Sequence, residues 1–166
     1  MSGLKLALAA VAVLGLSACG TNPWNDDLNS GGGSAGAGAD ALDPASPAYF
    51  QQTVGDRVLF AVDQSNLSPA AQATLQGQAQ WLARNSDYVV TIEGHADEQG
   101  TREYNLGLGA KRANAAREYL ISQGVAGSRI KVVSFGKERP LEICSDETCY
   151  SKNRRAVTVL AGGLTG

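Results

Sequence analysis

Two strand-length apolar segments, Tyr88 to Glu93 (YVVTIE) and Arg129 to Phe135 (RIKVVSF), are separated by a long helical stretch from about Arg102 to Gln123. That order constrains the fold more than any other feature of the chain. In the first segment Tyr88, Val90 and Ile92 share one face, with Thr91 and Glu93 on the other, the alternation of a half-buried strand. The helical stretch stops at Gly124, where a left-handed residue ends a helix without steric cost. A strand, a crossover helix and a second strand favour parallel neighbours, with the helix covering one face of the sheet.

Three further segments extend the pattern. VLFAV, Val58 to Val62, is an apolar run of strand length, and RAVTVL, Arg155 to Leu160, is the last of the series. Between the first two strands, Ser68 followed by Pro69 is a helix cap with proline at the first helical position. The helix it opens runs to about Arg84, with Ala71, Leu75, Ala79 and Leu82 in one core-facing stripe. Trp81, at the edge of that stripe, reads as packing. The predicted order is β-α-β-α-β-β, an α/β (α+β) two-layer sandwich with a mixed sheet and helices packed on it. About 110 residues suffice for one such core, and the expected domain is 55–166.

What precedes that domain is built differently. MSGLKLALAAVAVLGLSA carries one charge, Lys5, and then an apolar run from Leu6 to Leu16. A membrane-spanning helix needs about twenty apolar residues, so this run has the length of an export-signal core and the mature chain is expected to have no span. LSAC resembles a bacterial lipoprotein cleavage box, which makes 1–18 a signal peptide and Cys19 an acylated amino terminus. Acyl chains at roughly 0.8 kcal/mol per buried methylene anchor a protein stably. Gly20, rather than an acid, follows the cysteine, which by the same resemblance implies sorting to the outer membrane. From Thr21 to about Ala45 the chain is rich in Gly, Ala, Ser, Asn and Asp and too poor in bulky apolar residues to order itself. Residues 19–54 are therefore expected to be a lipidated, flexible tether. A glycine-rich coil the length of its Thr21 to Ala45 stretch has an r.m.s. span of ~28 Å.

Lipidation of Cys19 leaves Cys144 and Cys149 as an even pair in CSDETC. An exported chain meets an oxidising compartment, where the two can close a small loop worth only ~2 kcal/mol, a local stiffener. A zinc site is the weaker alternative, because the chain has one histidine and no further cysteine to complete four ligands. No cofactor is called for. Cleavage removes Lys5, leaving 13 of the 14 basic residues against 16 acidic ones, a net charge of −3. With no basic block, nucleic acid is not expected as a partner.

The chemistry concentrates in GHADEQGTREYNLGLGAKRA, Gly94 to Ala113. On the helix, Asn105, Leu108 and Arg112 lie within about 60° of one another. Glycine inside a helix costs roughly 1 kcal/mol relative to alanine, so Gly107 and Gly109 call for close packing or a ligand. They are not a dinucleotide fingerprint, whose third glycine would stand where Arg112 is. Asp97 sits in a loop between Gly94 and Gly100 at the mouth of this helix. An acid that accepts from an ammonium and an arginine that grips a carboxylate are together complementary to an amino-acid zwitterion. The bland alternative is that Asp97 and Arg112 pair with each other or with neighbours, worth 0 to ~1 kcal/mol if exposed.

TIEGHADEQGTREYNLGLGAKRANAAREYL, VVSFGKERP and YSKNRRAVTVL together resemble the OmpA-like peptidoglycan-binding domain family, over about Val58 to Leu160. With the cleavage box and tether, the whole chain is similar to the lipoprotein members of that family that act in the Tol-Pal system. The resemblance implies noncovalent recognition of diaminopimelate in peptidoglycan, through Asp97, Arg112, Asn105, Leu108 and Asp63. It also implies TolB and other Tol-Pal components as partners, and a bridge from outer membrane to cell wall that serves envelope integrity and constriction at division. One departure stands out: the family commonly has phenylalanine directly before the acid of Asp63, and FAVD has Val62. Of Arg154 and Arg155, adjacent before a strand, at most one faces the site. Replacing Asp97 or Arg112 by alanine is expected to abolish wall binding and leave the fold intact. One rival reading is a periplasmic protein-interaction module acting mainly through TolB, its groove binding a partner rather than the wall; the other is a cell-wall hydrolase using His95 with Glu93, Asp97 or Glu98, to which a single histidine gives little support.

Overall fold

A computed structural model of the 166-residue chain describes residues 42–143 and 145–162. The expected export signal, the expected acylation site Cys19, most of the expected tether and Cys144 lie outside the described residues. The first element, α1 (Pro47–Tyr49), continues as a wider π-type turn over Phe50–Gly55. There follow β1 (Arg57–Leu59), α2 (Pro69–Arg84), β2 (Val89–His95), α3 (Arg102–Ser122), a short 3-10 turn (Gly127–Arg129), β3 (Ile130–Gly136), α4 (Glu147–Asn153) and β4 (Arg155–Ala161). The sheet order is β1-β4-β2-β3. β2 and β3, the two ends of the α3 crossover, are parallel, and β4 runs antiparallel to both β1 and β2. The mixed sheet with helices on it is the architecture the sequence predicts.

The Ser68 cap of α2 is where the sequence puts it, and Thr101 gives α3 an equivalent cap. Ser68 Oγ accepts from the Ala71 amide at 3.1 Å, and Thr101 Oγ1 from the Tyr104 amide at 3.2 Å. Leu75, Leu82 and Trp81 of α2 and Ala113, Ala116 and Leu120 of α3 meet Val90 and Ile92 of β2 in one buried cluster. Trp81 is packing, as expected, and its indole Nε1 donates to Pro44 O at 2.7 Å.

Three boundaries differ from the sequence reading. The core reaches back before Gly55: Phe50 is fully buried with its ring 4.9 Å from Trp81, and Gln78 Nε2 donates to Gly55 O at 2.7 Å. Ser46 caps that first helix just as Ser68 caps α2, with proline next in both cases. The strand expected to reach Val62 ends at Leu59, because the chain turns away at Ala61, where the Gln64 amide bonds back to Ala61 O at 3.2 Å. Between the last two strands lies α4, absent from the predicted order; it is capped by Asp146 and buries only Cys149 and Asn153.

α3 lies against β2 backbone to backbone. A Cβ built on Gly94 would stand 1.9 Å from Gly109 O, and one on Gly109 would stand 2.5 Å from Ser134 Oγ. Close packing therefore accounts for Gly109, whereas a Cβ at Gly107 meets nothing within 4 Å. Gly94→Ala is expected to lose upwards of about 2 kcal/mol of stability in urea denaturation. Gly107→Ala, by helix propensity, should gain up to ~1 kcal/mol.

Candidate functional site

Where β2 ends and α3 begins, a cavity of about 210 Å³ is lined by Val62, Asp63, Asp97, Gln99, Gly100, Tyr104, Asn105 and Leu108. Four of the five residues named from sequence thus meet in one hollow. Leu108 supplies apolar surface from α3, and Asn105 Nδ2 donates to Gln99 O at 2.7 Å, tying the Asp97 loop to the helix. Lys137 Nζ holds the same loop through Gly100 O at 2.6 Å. The carboxylate of Glu98 accepts from Tyr150 Oη at 2.9 Å and Ser145 Oγ at 3.0 Å, so the α4 region braces it from the other side.

Arg112 is the fifth, and it lies fully buried rather than lining the hollow. Its Nε donates to Gln64 O at 2.8 Å, Nη1 to His95 O at 2.9 Å and Nη2 to Ala61 O at 3.2 Å. The guanidinium also stands 5.3 Å from the centre of the Phe60 ring. Burial pushes its pKa down to about 10, opposed by the nearby charges of Asp97 and Asp63, so it remains a cation at neutral pH. Three of its five N–H groups are committed to backbone, which leaves two, one on each Nη. This corrects the expectation that Arg112→Ala spares the fold: the change would strand three carbonyls and open a buried hole.

Asp97 and Arg112 do not pair directly. Asp97 Oδ2 accepts from Arg154 Nη1 at 3.1 Å, and Oδ1 from the Gln99 amide at 3.2 Å. Arg154, almost wholly buried, also donates to Phe60 O at 3.1 Å and forks onto Glu147 of α4. The hydrogen bond to Glu147 raises the Arg154 pKa and lowers that of Glu147. Arg155 turns to the opposite face and donates to Arg139 O at 3.2 Å, so one of the two adjacent arginines serves the site. Nothing local in the sequence marks the Asp97–Arg154 pair, whose members are 57 residues apart. Tyr104 was also missed: it is the sole aromatic residue lining the hollow, where position 62 carries valine.

With both acids at the hollow and the cationic Arg112 buried beside them, the arrangement suits a small ligand bearing an ammonium and a carboxylate. The OmpA family profile matches residues 59–154, more than half of the chain. The chain belongs to the OmpA family. A peptidoglycan-associated lipoprotein of Rhizobium meliloti is 50% identical over 155 residues, 93% of this chain and 86% of the relative, so the likeness extends well beyond the OmpA domain. The crystal structure of the peptidoglycan-associated lipoprotein from Burkholderia pseudomallei superposes with a TM-score of 0.66 at 37% identity, covering 72% of this chain and all of the other. The C-terminal domain of Helicobacter pylori MotB, at 17% identity and a TM-score of 0.61, covers 64% of this chain and 84% of that chain and shares the fold alone.

Of the residues of the hydrolase reading, Asp97 alone lines the hollow, and His95 and Glu93 lie beside each other away from it. Gly94 faces α3, so Glu93 and His95 point to the opposite side of the sheet from this OmpA-type hollow. His95 stacks on Phe135 with ring centres 5.5 Å apart, and its Nε2 is 3.6 Å from Glu93 Oε2, beyond hydrogen-bond reach. Neither ring nitrogen has a hydrogen-bond partner among the described residues. Cys149 is disulfide-bonded; the expected pairing with Cys144 involves a residue outside those described.

Burial, with the charges of Arg155 and Arg139, pushes the His95 pKa from 6.5 down to about 4. The folded state holds this imidazole neutral, while the unfolded chain takes up a proton near 6.5. Its contribution is complete above that pH and is lost as the pH falls toward 4, a change of roughly 3 kcal/mol. The fall in thermal midpoint between pH 7 and pH 4.5 is expected to be smaller in His95→Phe than in the wild type. Equal falls in the two proteins would show that His95 does not carry the effect.

Proposed function

We propose that this chain is an outer-membrane lipoprotein, acylated at Cys19, that binds peptidoglycan noncovalently through the free zwitterionic end of diaminopimelate. The observation that carries the reading is the gathering of Asp63, Asp97, Asn105 and Leu108 around one hollow with Arg112 buried beside it. In this assignment Asp63 and Asp97 accept from the ligand ammonium. The remaining N–H groups of Arg112 take its carboxylate, and Leu108 receives the methylene chain between the two ends. No bond is made or broken, so the protein is a clamp rather than an enzyme. Its relatives named peptidoglycan-associated lipoproteins support the same reading.

The lipid at one end of the tether and the pocket at the other would join outer membrane to wall, on the periplasmic face. Working with the Tol-Pal system, the bridge would serve envelope cohesion and constriction at division, with TolB as protein partner. Val62 and Tyr104, both exposed and both at the pocket, offer such a partner apolar contact on the face that binds the wall. A disulfide from Cys149 to Cys144 would stiffen the α4 segment that braces the Asp97 loop.

The test is co-sedimentation of the full chain in detergent with purified sacculi containing either diaminopimelate or lysine. Retention is expected on the first and not the second, and free diaminopimelate should compete. Asp97→Asn keeps size and Arg112→Lys keeps charge; the first removes the acid, the second removes the guanidinium N–H groups and part of the hold on Ala61, Gln64 and His95, and each should weaken retention about tenfold or more. Retention of both variants at the wild-type level, with unchanged thermal midpoints, would reject the pocket assignment.

A further inference from the structure

The β1–α2 wall of the hollow holds a strained position. Asp63 has φ +57°, the sole non-glycine residue in the left-handed region among those described. Such a conformation costs an L-residue about 1 kcal/mol or more and persists where the surroundings over-determine it. Here two groups do so. Arg112 takes the carbonyls of Ala61 and Gln64, on either side of Asp63, and so fixes the backbone of the turn. Tyr104, reaching across from the first turn of α3, donates its hydroxyl to Asp63 Oδ1 at 2.7 Å and fixes the carboxylate.

The second contact does little for the fold. Tyr104 is 51% exposed, and a hydrogen bond at such a surface adds little to stability. Its location gives it another use, because both partners line the hollow. One carboxylate oxygen of Asp63 is occupied by the phenol. The other, Oδ2, has no protein donor among the described residues. A carboxylate free to rotate would meet an entering ammonium in many orientations, whereas one held by a single oxygen meets it in one, and the ordering cost is met before binding.

We propose that Tyr104 is a positioning residue of the pocket: its hydrogen bond sets Asp63 so that Oδ2 accepts from the ligand ammonium, while its ring forms the aromatic wall. This rests on the zwitterion pocket proposed above. Tyr104 thereby acts on ligand selectivity through Asp63, and its own contact with the ligand is through the ring face.

The experiment is calorimetric titration of the full chain in detergent with a soluble muropeptide whose stem ends in diaminopimelate. Tyr104→Phe, which keeps the ring, is expected to bind about tenfold more weakly with a thermal midpoint within about 2 °C of the wild type. Asp63→Asn should lose at least as much, and Tyr104→Phe combined with Asp63→Asn should bind no worse than Asp63→Asn alone, because the phenol acts only through that carboxylate. Wild-type affinity in Tyr104→Phe, or losses that multiply in the double variant, would overturn this inference and leave the pocket standing. Failure of the wild-type chain to bind the muropeptide would overturn both.

Discussion

One buried guanidinium holds the site together. Arg112 stands on α3 and reaches three carbonyls in two other segments, Ala61 and Gln64 after β1 and His95 at the end of β2. Burying a cation is costly unless it is hydrogen-bonded and balanced by nearby negative charge, and here carbonyls satisfy it while Asp97 and Asp63 act on it through space. The cost is offset by geometry: the turn carrying Asp63, the end of the strand leading to Asp97 and the helix carrying Asn105 are joined at one point. Removing Arg112 would therefore disturb the walls of the hollow, which is shaped by what this side chain holds.

A buried ion pair completes the frame from the other side. Arg154 joins Asp97 to Phe60 O and to Glu147, and so links α4 to the loop that α3 binds through Asn105. The two arginines divide the work, one organising the β1–α2 turn and the other the β2–α3 loop. The hollow lies between these two connections at the carboxyl end of β2, where β3 and β4 flank the strand on either side, a place where open sheets leave a crevice. Loops carry Asp63 and Asp97 while α3 carries Tyr104, Asn105 and Leu108, and the buried charges keep those loops in place.

Much of this was legible in the sequence because the signals are local. Ser68 before Pro69, the alternation of Tyr88 to Glu93 and the stop at Gly124 each specify an element from within a few residues, and the crossover then sets β2 and β3 parallel. The helical face shared by Asn105, Leu108 and Arg112 is also a matter of local spacing: Asn105 and Leu108 line the hollow and Arg112 lies buried beside it. What local spacing does not carry is how many donors a side chain has already spent. Spacing alone presents Arg112 as a free grip on a ligand, whereas three of its N–H groups hold backbone. The Asp97–Arg154 pair joins residues far apart in sequence, and Tyr104 sits beside the stripe rather than on it. α4 left little pattern because seven residues with two buried positions are too few for a helical period to show. The Asp146 cap was its one readable sign.

The strand order has a consequence for how the molecule comes into being. β4, the last strand to leave a ribosome or cross a membrane amino-end first, is the one inserted between β1 and β2. Until it arrives, β1 has no partner in the sheet and Arg154 is not yet in place beside Asp97. The topology is thus rich in long-range contacts and defers closure of the sheet to the end of synthesis, a slow route by the usual dependence of folding rate on contact order. The polypeptide therefore stays without a finished sheet, and its hollow without the Arg154 brace, until residues 154–161 have been made.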